Sequence, residues 1–164
     1  MNRSLSPDRL PYPIRALTEP SHPVRAILLG WAMTTIPALG LSLLVASLLP
    51  QAPGPEFGAI GLDMFVRIVV IAPLLETLIM AAVLELLLLA VAPKWAVIVS
   101  SIAWGIAHSL MAVAWGLVIW WPFLIFSTLY VTWRPRDRLA AIGIVFAVHA
   151  LNNLGPALYL LQSG

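Results

Sequence analysis

The sequence predicts an all-α, polytopic membrane helix bundle with about five transmembrane helices and one short interfacial helix. Two observations carry that prediction. Of 164 residues, 61% are hydrophobic and 10% charged, against roughly 45–50% and about 25% in soluble globular domains, whose cores cannot absorb so much apolar surface. The apolar residues also fall in runs of about 20, the length a helix needs to cross a hydrocarbon layer of about 30 Å. The chain has room for about five such runs and short connections. This gives a flexible cytoplasmic tail at 1–25 and a single transmembrane domain at 26–164.

Each element has its own signal. Residues 1–25 hold Pro7, Pro11, Pro13, Pro20, Pro23 and four arginines without an apolar period, which reads as tail; His22 has no role there. Ala26–Leu49 is too long for the apolar core of a cleaved signal peptide, so it is a retained span, bent at Pro37 and Gly40. Pro50–Gly58, with Glu56, is a loop. The run from Ala59 to Ala92 would measure about 51 Å as one helix, so it is expected to break at Pro73. An interfacial helix over 59–71, with Asp63 and Arg67 paired at i,i+4, would then precede a span from Pro73 to Ala92. Pro93 and Lys94 make a turn, Trp95–Val113 is the third span, and Gly116 marks a tight bend. Leu117–Trp133 is the fourth span, 134–138 a polar loop, and Leu139–Leu161 the fifth.

Lys and Arg are retained in cytoplasmic loops. With the tail inside, eight of the nine (Arg3, Arg9, Arg15, Arg25, Lys94, Arg134, Arg136 and Arg138) lie on one face and Arg67 alone lies elsewhere. The expected location is a bacterial plasma membrane, multi-pass, with the N-terminus cytoplasmic and the C-terminus outside. Trp95 and Trp133 then fall at the inner interface, and Trp115, Trp120 and Trp121 near the outer one. A net charge of +2 gives no reason to expect nucleic acid as a partner. The absence of cysteine excludes disulfides, a thiol nucleophile and Cys-based metal sites.

Polar residues inside spans carry the functional information. They are Glu76, Glu85, His108, His149, Asn152 and Asn153. A charge at a span's centre costs roughly 2.5–3.5 kcal/mol, which makes an intramembrane carboxylate a candidate site; the alternative for each residue is a hydrogen bond between packed helices. Counted from the cytoplasmic ends of their spans, Glu76, His108, His149 and Asn153 lie about 24, 20, 15 and 21 Å deep. His149 and Asn153, at i,i+4, share a helix face. Their convergence on one pocket is the expectation. Glu85 is half a turn out of phase with Glu76 and only about 10 Å deep, so it is assigned to packing or partner contact.

A buried Glu beside two His residues is a proton-transfer constellation able to activate water. Other intramembrane protease chemistries lack their motifs: there is no GxSG, no HExxH on any span, and no GxGD with a second membrane aspartate. Ser100, Ser101 and Ser109 read as small packing residues.

The stretches Pro73-Leu-Leu-Glu76-Thr77, Trp104-Gly-Ile-Ala-His108 and His149-Ala-Leu-Asn152-Asn153 resemble the EExxxR, FxxxH and HxxxN motifs of the CAAX prenyl protease and bacteriocin-processing (CPBP, or Abi) family of intramembrane proteases. The resemblance runs from about Phe65 to Leu158. Trp104 replaces the usual Phe, Thr77 stands at the second Glu and Ala81 at the Arg, so both halves of one i,i+4 charge pair are missing together. It implies an intramembrane endopeptidase in which Glu76 takes a proton from water, His108 orients that water, and His149 with Asn153 stabilises the oxyanion. The implied substrate is a membrane protein or lipidated peptide in the lipid bilayer. The favoured chemistry needs no cofactor; the alternative is zinc held by Glu76, His108 and His149, which would consume the only well-placed carboxylate. Two other functions fit the sequence: a non-catalytic family member acting as membrane scaffold or immunity factor, and a proton-coupled carrier.

Overall fold

The computed structural model describes residue 17, residues 19–55 and residues 61–163; these are helical with short connections, and no strand occurs among them. Five helices follow one another: α1 Pro23–Leu48, α2 Leu62–Leu87, α3 Pro93–Ser109, α4 Val113–Trp133 and α5 Arg138–Ser163. All but α3 are long and apolar enough to cross a membrane. At 17 residues, α3 reaches about 25 Å. Most of the expected tail, Glu56 and the start of the expected interfacial helix lie outside the described residues.

Helix α4 is the hub. It packs against each of the other four and is the most buried span, α1 the least. Phe123, Phe126, Leu129 and Tyr130 fill the core from α4, meeting Met80 and Leu84 of α2 and Val145 and Val148 of α5. Small polar groups join the layers. Ser127 Oγ lies 3.1 Å from Ser100 Oγ on α3 and 3.5 Å from Met80 Sδ on α2. Leu17 and Pro20 lie within the expected tail, yet Leu17 is buried against this core and the Pro20 carbonyl accepts a hydrogen bond from Arg136.

Three local expectations are corrected. The run does not break at Pro73. It continues as one helix through a widened π turn at Arg67–Ile71, so the expected interfacial helix is the first part of α2. A proline removes one N–H and crowds the preceding turn; opening the ladder to a five-residue register, with Ala72 N–H on the Arg67 carbonyl, absorbs that crowding without ending the helix. Gly116 is not a bend. It lies within α4 against α3, where an added Cβ would collide with the Gly105 carbonyl and the Ser109 side chain, so its missing side chain is what lets the two backbones approach. Asp63 and Arg67 form no ion pair among the described contacts, because the Asp63 carboxylate turns back over Gly61, toward the helix start where free N–H groups attract negative charge.

Side chains take over hydrogen bonds that prolines remove. Pro37 leaves the Met33 carbonyl of α1 without its helical donor, and the Trp121 indole N–H fills the gap at 2.8 Å. Trp121 therefore works inside the bundle. At the start of α5 the Asp137 carboxylate accepts from the Leu139 and Ala140 N–H groups, at 2.8 and 3.1 Å, a capping arrangement.

Candidate active site

Helices α2, α3 and α5 bring Glu76, His108, His149 and Asn153 to one cavity of about 250 Å³, with Asn152 beside them and Trp115, Pro122, Phe123 and Phe126 of α4 as its apolar wall. All four residues singled out by depth and phase therefore share one space.

Glu76 and His149 face each other across the cavity. Nε2 of His149 lies 3.7 Å from Oε2 of Glu76, longer than a direct hydrogen bond and short enough for one water oxygen to reach both atoms at about 2.8 Å. The His149 ring is held by Phe126, centroid to centroid 4.5 Å, and by Phe123 edge-on at 5.5 Å. Its Nδ1 is buried and has no hydrogen-bond partner. Orphaned acceptors are tolerated better than orphaned N–H donors, which favours the proton on Nε2, directed at Glu76.

His108 has the complementary arrangement. Its Nδ1 sits 2.9 Å from the Trp104 carbonyl, and because a carbonyl only accepts, the proton belongs on Nδ1 and the lone pair of the neutral ring on Nε2. Trp104, four residues earlier, supplies that carbonyl and also stacks on Phe123, with centroids 4.3 Å apart and planes 11° from parallel. Trp115 packs edge-on against the His108 ring at 4.7 Å. The Trp104 indole thus acts as an aromatic wall.

Asn153 donates from Nδ2 to the Ile68 carbonyl of α2 at 3.1 Å. Asn152 accepts at Oδ1 from Thr35 of α1 at 3.2 Å, tying the first helix to the site. Thr35 was not among the residues expected to matter, since threonine is inexpensive in a membrane helix; the only available signal was the Thr34-Thr35 pair interrupting an apolar run. Thr77, next to Glu76, is buried with its hydroxyl unpartnered.

A structural zinc needs ligand atoms at about 2.0–2.2 Å from a single centre. Among the described residues no three His, Asp or Glu side chains are grouped to hold one, and no step below is routed through a metal.

Glu85 takes no part in the cavity. Its carboxylate accepts from Arg134 Nε at 2.7 Å and Nη2 at 2.8 Å, from the Tyr130 hydroxyl at 2.9 Å and from Arg138 at 3.1 Å. This network ties α2 to the 134–138 loop. The Glu85 hydrogen bond pushes the Arg134 guanidinium further above its ordinary pKa. Replacing Glu85 by Gln removes the charge that two arginines share. We expect a lower unfolding midpoint in detergent, while any activity at the cavity stays within several-fold of the parent. An activity loss equal to that of a Glu76 variant at equal folded yield would place Glu85 in the site instead.

Compared with models of protein families, with curated proteins and with solved structures, the chain matches none.

Proposed function

We propose that this protein is an intramembrane endopeptidase of the CAAX prenyl protease and bacteriocin-processing kind, hydrolysing a peptide bond of a membrane protein or lipidated peptide with water activated by Glu76. The carrying observation is that Glu76 is, among the described residues, the one carboxylate lining a cavity it shares with His108, His149 and Asn153, with His149 3.7 Å away.

In this reaction a water held between Glu76 and the histidines gives its proton to Glu76 as its oxygen attacks the scissile carbonyl. His108, with Nε2 as acceptor, orients that water. The oxyanion that develops takes hydrogen bonds from His149 Nε2–H and from the second amide hydrogen of Asn153, the first being on Ile68. Glu76 then returns the proton to the departing amine. The step conserves charge and needs no cofactor. Aromatic walls exclude bulk water, which strengthens each of these interactions. The experiment is cleavage of candidate membrane peptides by the purified chain in bilayers, parent against Glu76→Gln.

The proposed orientation puts the N-terminus in the cytoplasm and the C-terminus outside, in a bacterial plasma membrane. The sequence has no cysteine, so single cysteines at Ser6, Ala52 and Ser163 label without background. In intact cells an impermeant maleimide should modify Ala52→Cys and Ser163→Cys and leave Ser6→Cys unmodified. External labelling of Ser6→Cys would reverse the orientation.

A further inference from the structure

The π turn of α2 leaves a backbone oxygen unserved at the site's edge. Within the turn, Ala72 N–H reaches back five residues to the Arg67 carbonyl. Continued by one residue, that register would pair position 73 with the Ile68 carbonyl, but position 73 is proline and has no N–H. The Ile68 oxygen is instead met by Asn153 Nδ2 at 3.1 Å, from one turn beyond His149 on the same face of α5. Eight residues along α2 from that carbonyl stands Glu76, 3.7 Å from His149. The same two helices therefore meet twice, bonded where Asn153 donates to Ile68 and facing each other where His149 lies 3.7 Å from Glu76.

We infer that Asn153 is a positioning residue: its amide replaces the hydrogen bond that Pro73 removes from Ile68, holds the π turn of α2 in register, and so directs Glu76 into the cavity. The assignment rests on the Glu76 reading for its consequence in catalysis, but its geometric content is separate. It differs from an oxyanion role in one decisive respect. An oxyanion donor acts on the substrate and is indifferent to residue 73, whereas a clamp on Ile68 is made redundant once residue 73 can donate for itself. A part-buried carbonyl in a membrane helix that loses its donor costs free energy comparable to the lost hydrogen bond, so the turn would shift to recover one and would carry Glu76 with it.

The test uses the full chain in bicelles with Glu76→Cys as its only cysteine, and measures the alkylation rate of that thiol by a small membrane-permeant maleimide. This reads the direction of the position-76 side chain with no reference to proteolysis. We expect Asn153→Ala to change the rate about tenfold, in line with loss of one part-buried hydrogen bond, and Pro73→Ala, added to it, to restore the rate to within about twofold of the parent by giving position 73 an N–H for Ile68. Asn153→Leu, similar in shape but without any donor, should behave as Asn153→Ala and guards against a cavity effect in the alanine variant. With Glu76 present, kcat for peptide cleavage should fall in Asn153→Ala and recover only in part in the Pro73→Ala pair, because the second amide hydrogen of Asn153 also serves the oxyanion, with KM little changed. An unchanged thiol rate in both Asn153 variants would overturn the inference, as would a rate that Pro73→Ala fails to restore. If no peptide is cleaved by any variant, the protease reading fails while the thiol rates still decide the clamp.

Discussion

Replacing Glu76 by Gln should abolish peptide hydrolysis while leaving the helix bundle folded. Gln keeps the volume and the hydrogen-bonding capacity of Glu but cannot accept a proton from water, so the change removes one chemical ability and little else. A positioned general base contributes about 10²–10⁴-fold. The side chain is partly open to the cavity and accepts no hydrogen bond from His149 at 3.7 Å, so its neutral isostere leaves no protein donor stranded. The measurement is single-turnover cleavage of a membrane peptide in bilayers, with folded yield matched by size-exclusion chromatography. Parental cleavage by Glu76→Gln would end the assignment of the base. If neither protein cleaves any peptide but the variant loses a cellular phenotype, the scaffold or carrier function takes its place. Adding a zinc chelator to the parent tests the metal alternative in the same assay: an unchanged rate is expected, and a loss restored by zinc would assign Glu76, His108 and His149 to the metal.

What could be read from the sequence divides along a physical line. Helix number and the depth of each polar residue depend only on rise per residue and on where apolar runs stop, so Glu76, His108, His149 and Asn153 could be placed in one layer. Glu85 was separable by the same arithmetic, though Arg134, Arg138 and Tyr130 as its partners were not, because nothing local in the sequence fixes which helix faces which. Helix continuity at Pro73 was missed for a different reason. The expectation of a break treats proline as a loss without replacement, yet Asn153, 80 residues later, supplies the missing hydrogen bond. Pro37 repeats the pattern with Trp121. In a membrane, where water cannot serve an orphaned carbonyl, a proline within a span calls for a donor on a neighbouring helix. Read that way, Pro37 and Pro73 each announce a tertiary contact, although the sequence alone does not say with which residue.

Gly116→Ala should destabilise the α3–α4 pair more than alanine at the other helix glycines, and should displace His108. The argument rests on what a single added methyl would meet. At Gly116 it would collide with the Gly105 carbonyl and with the Ser109 backbone nitrogen and hydroxyl, and backbone atoms of a packed helix cannot rotate aside. At Gly30 the nearest atom is Leu129 Cδ1 at 2.9 Å, the far end of a side chain that can move. At Gly143 nothing lies within 4 Å. Overpacking costs about 1–3 kcal/mol, so Gly116→Ala is expected at or above the upper end, Gly30→Ala near the lower, and Gly143→Ala within about 0.5 kcal/mol of the parent. Ser109 follows His108 directly, so separation of α3 from α4 also shifts the His108 ring away from Trp115 and Phe123, which now hold it. A misplacement of about 1 Å in a catalytic group can cost about 10²-fold in rate, so cleavage should fall further in Gly116→Ala than its folded fraction alone explains. Steric-trap unfolding of the three variants in bicelles, with cleavage rates normalised to folded protein, checks both parts. Equal stability of Gly116→Ala and Gly143→Ala would mean that α3 and α4 do not approach as closely as Gly105 and Gly116 place them.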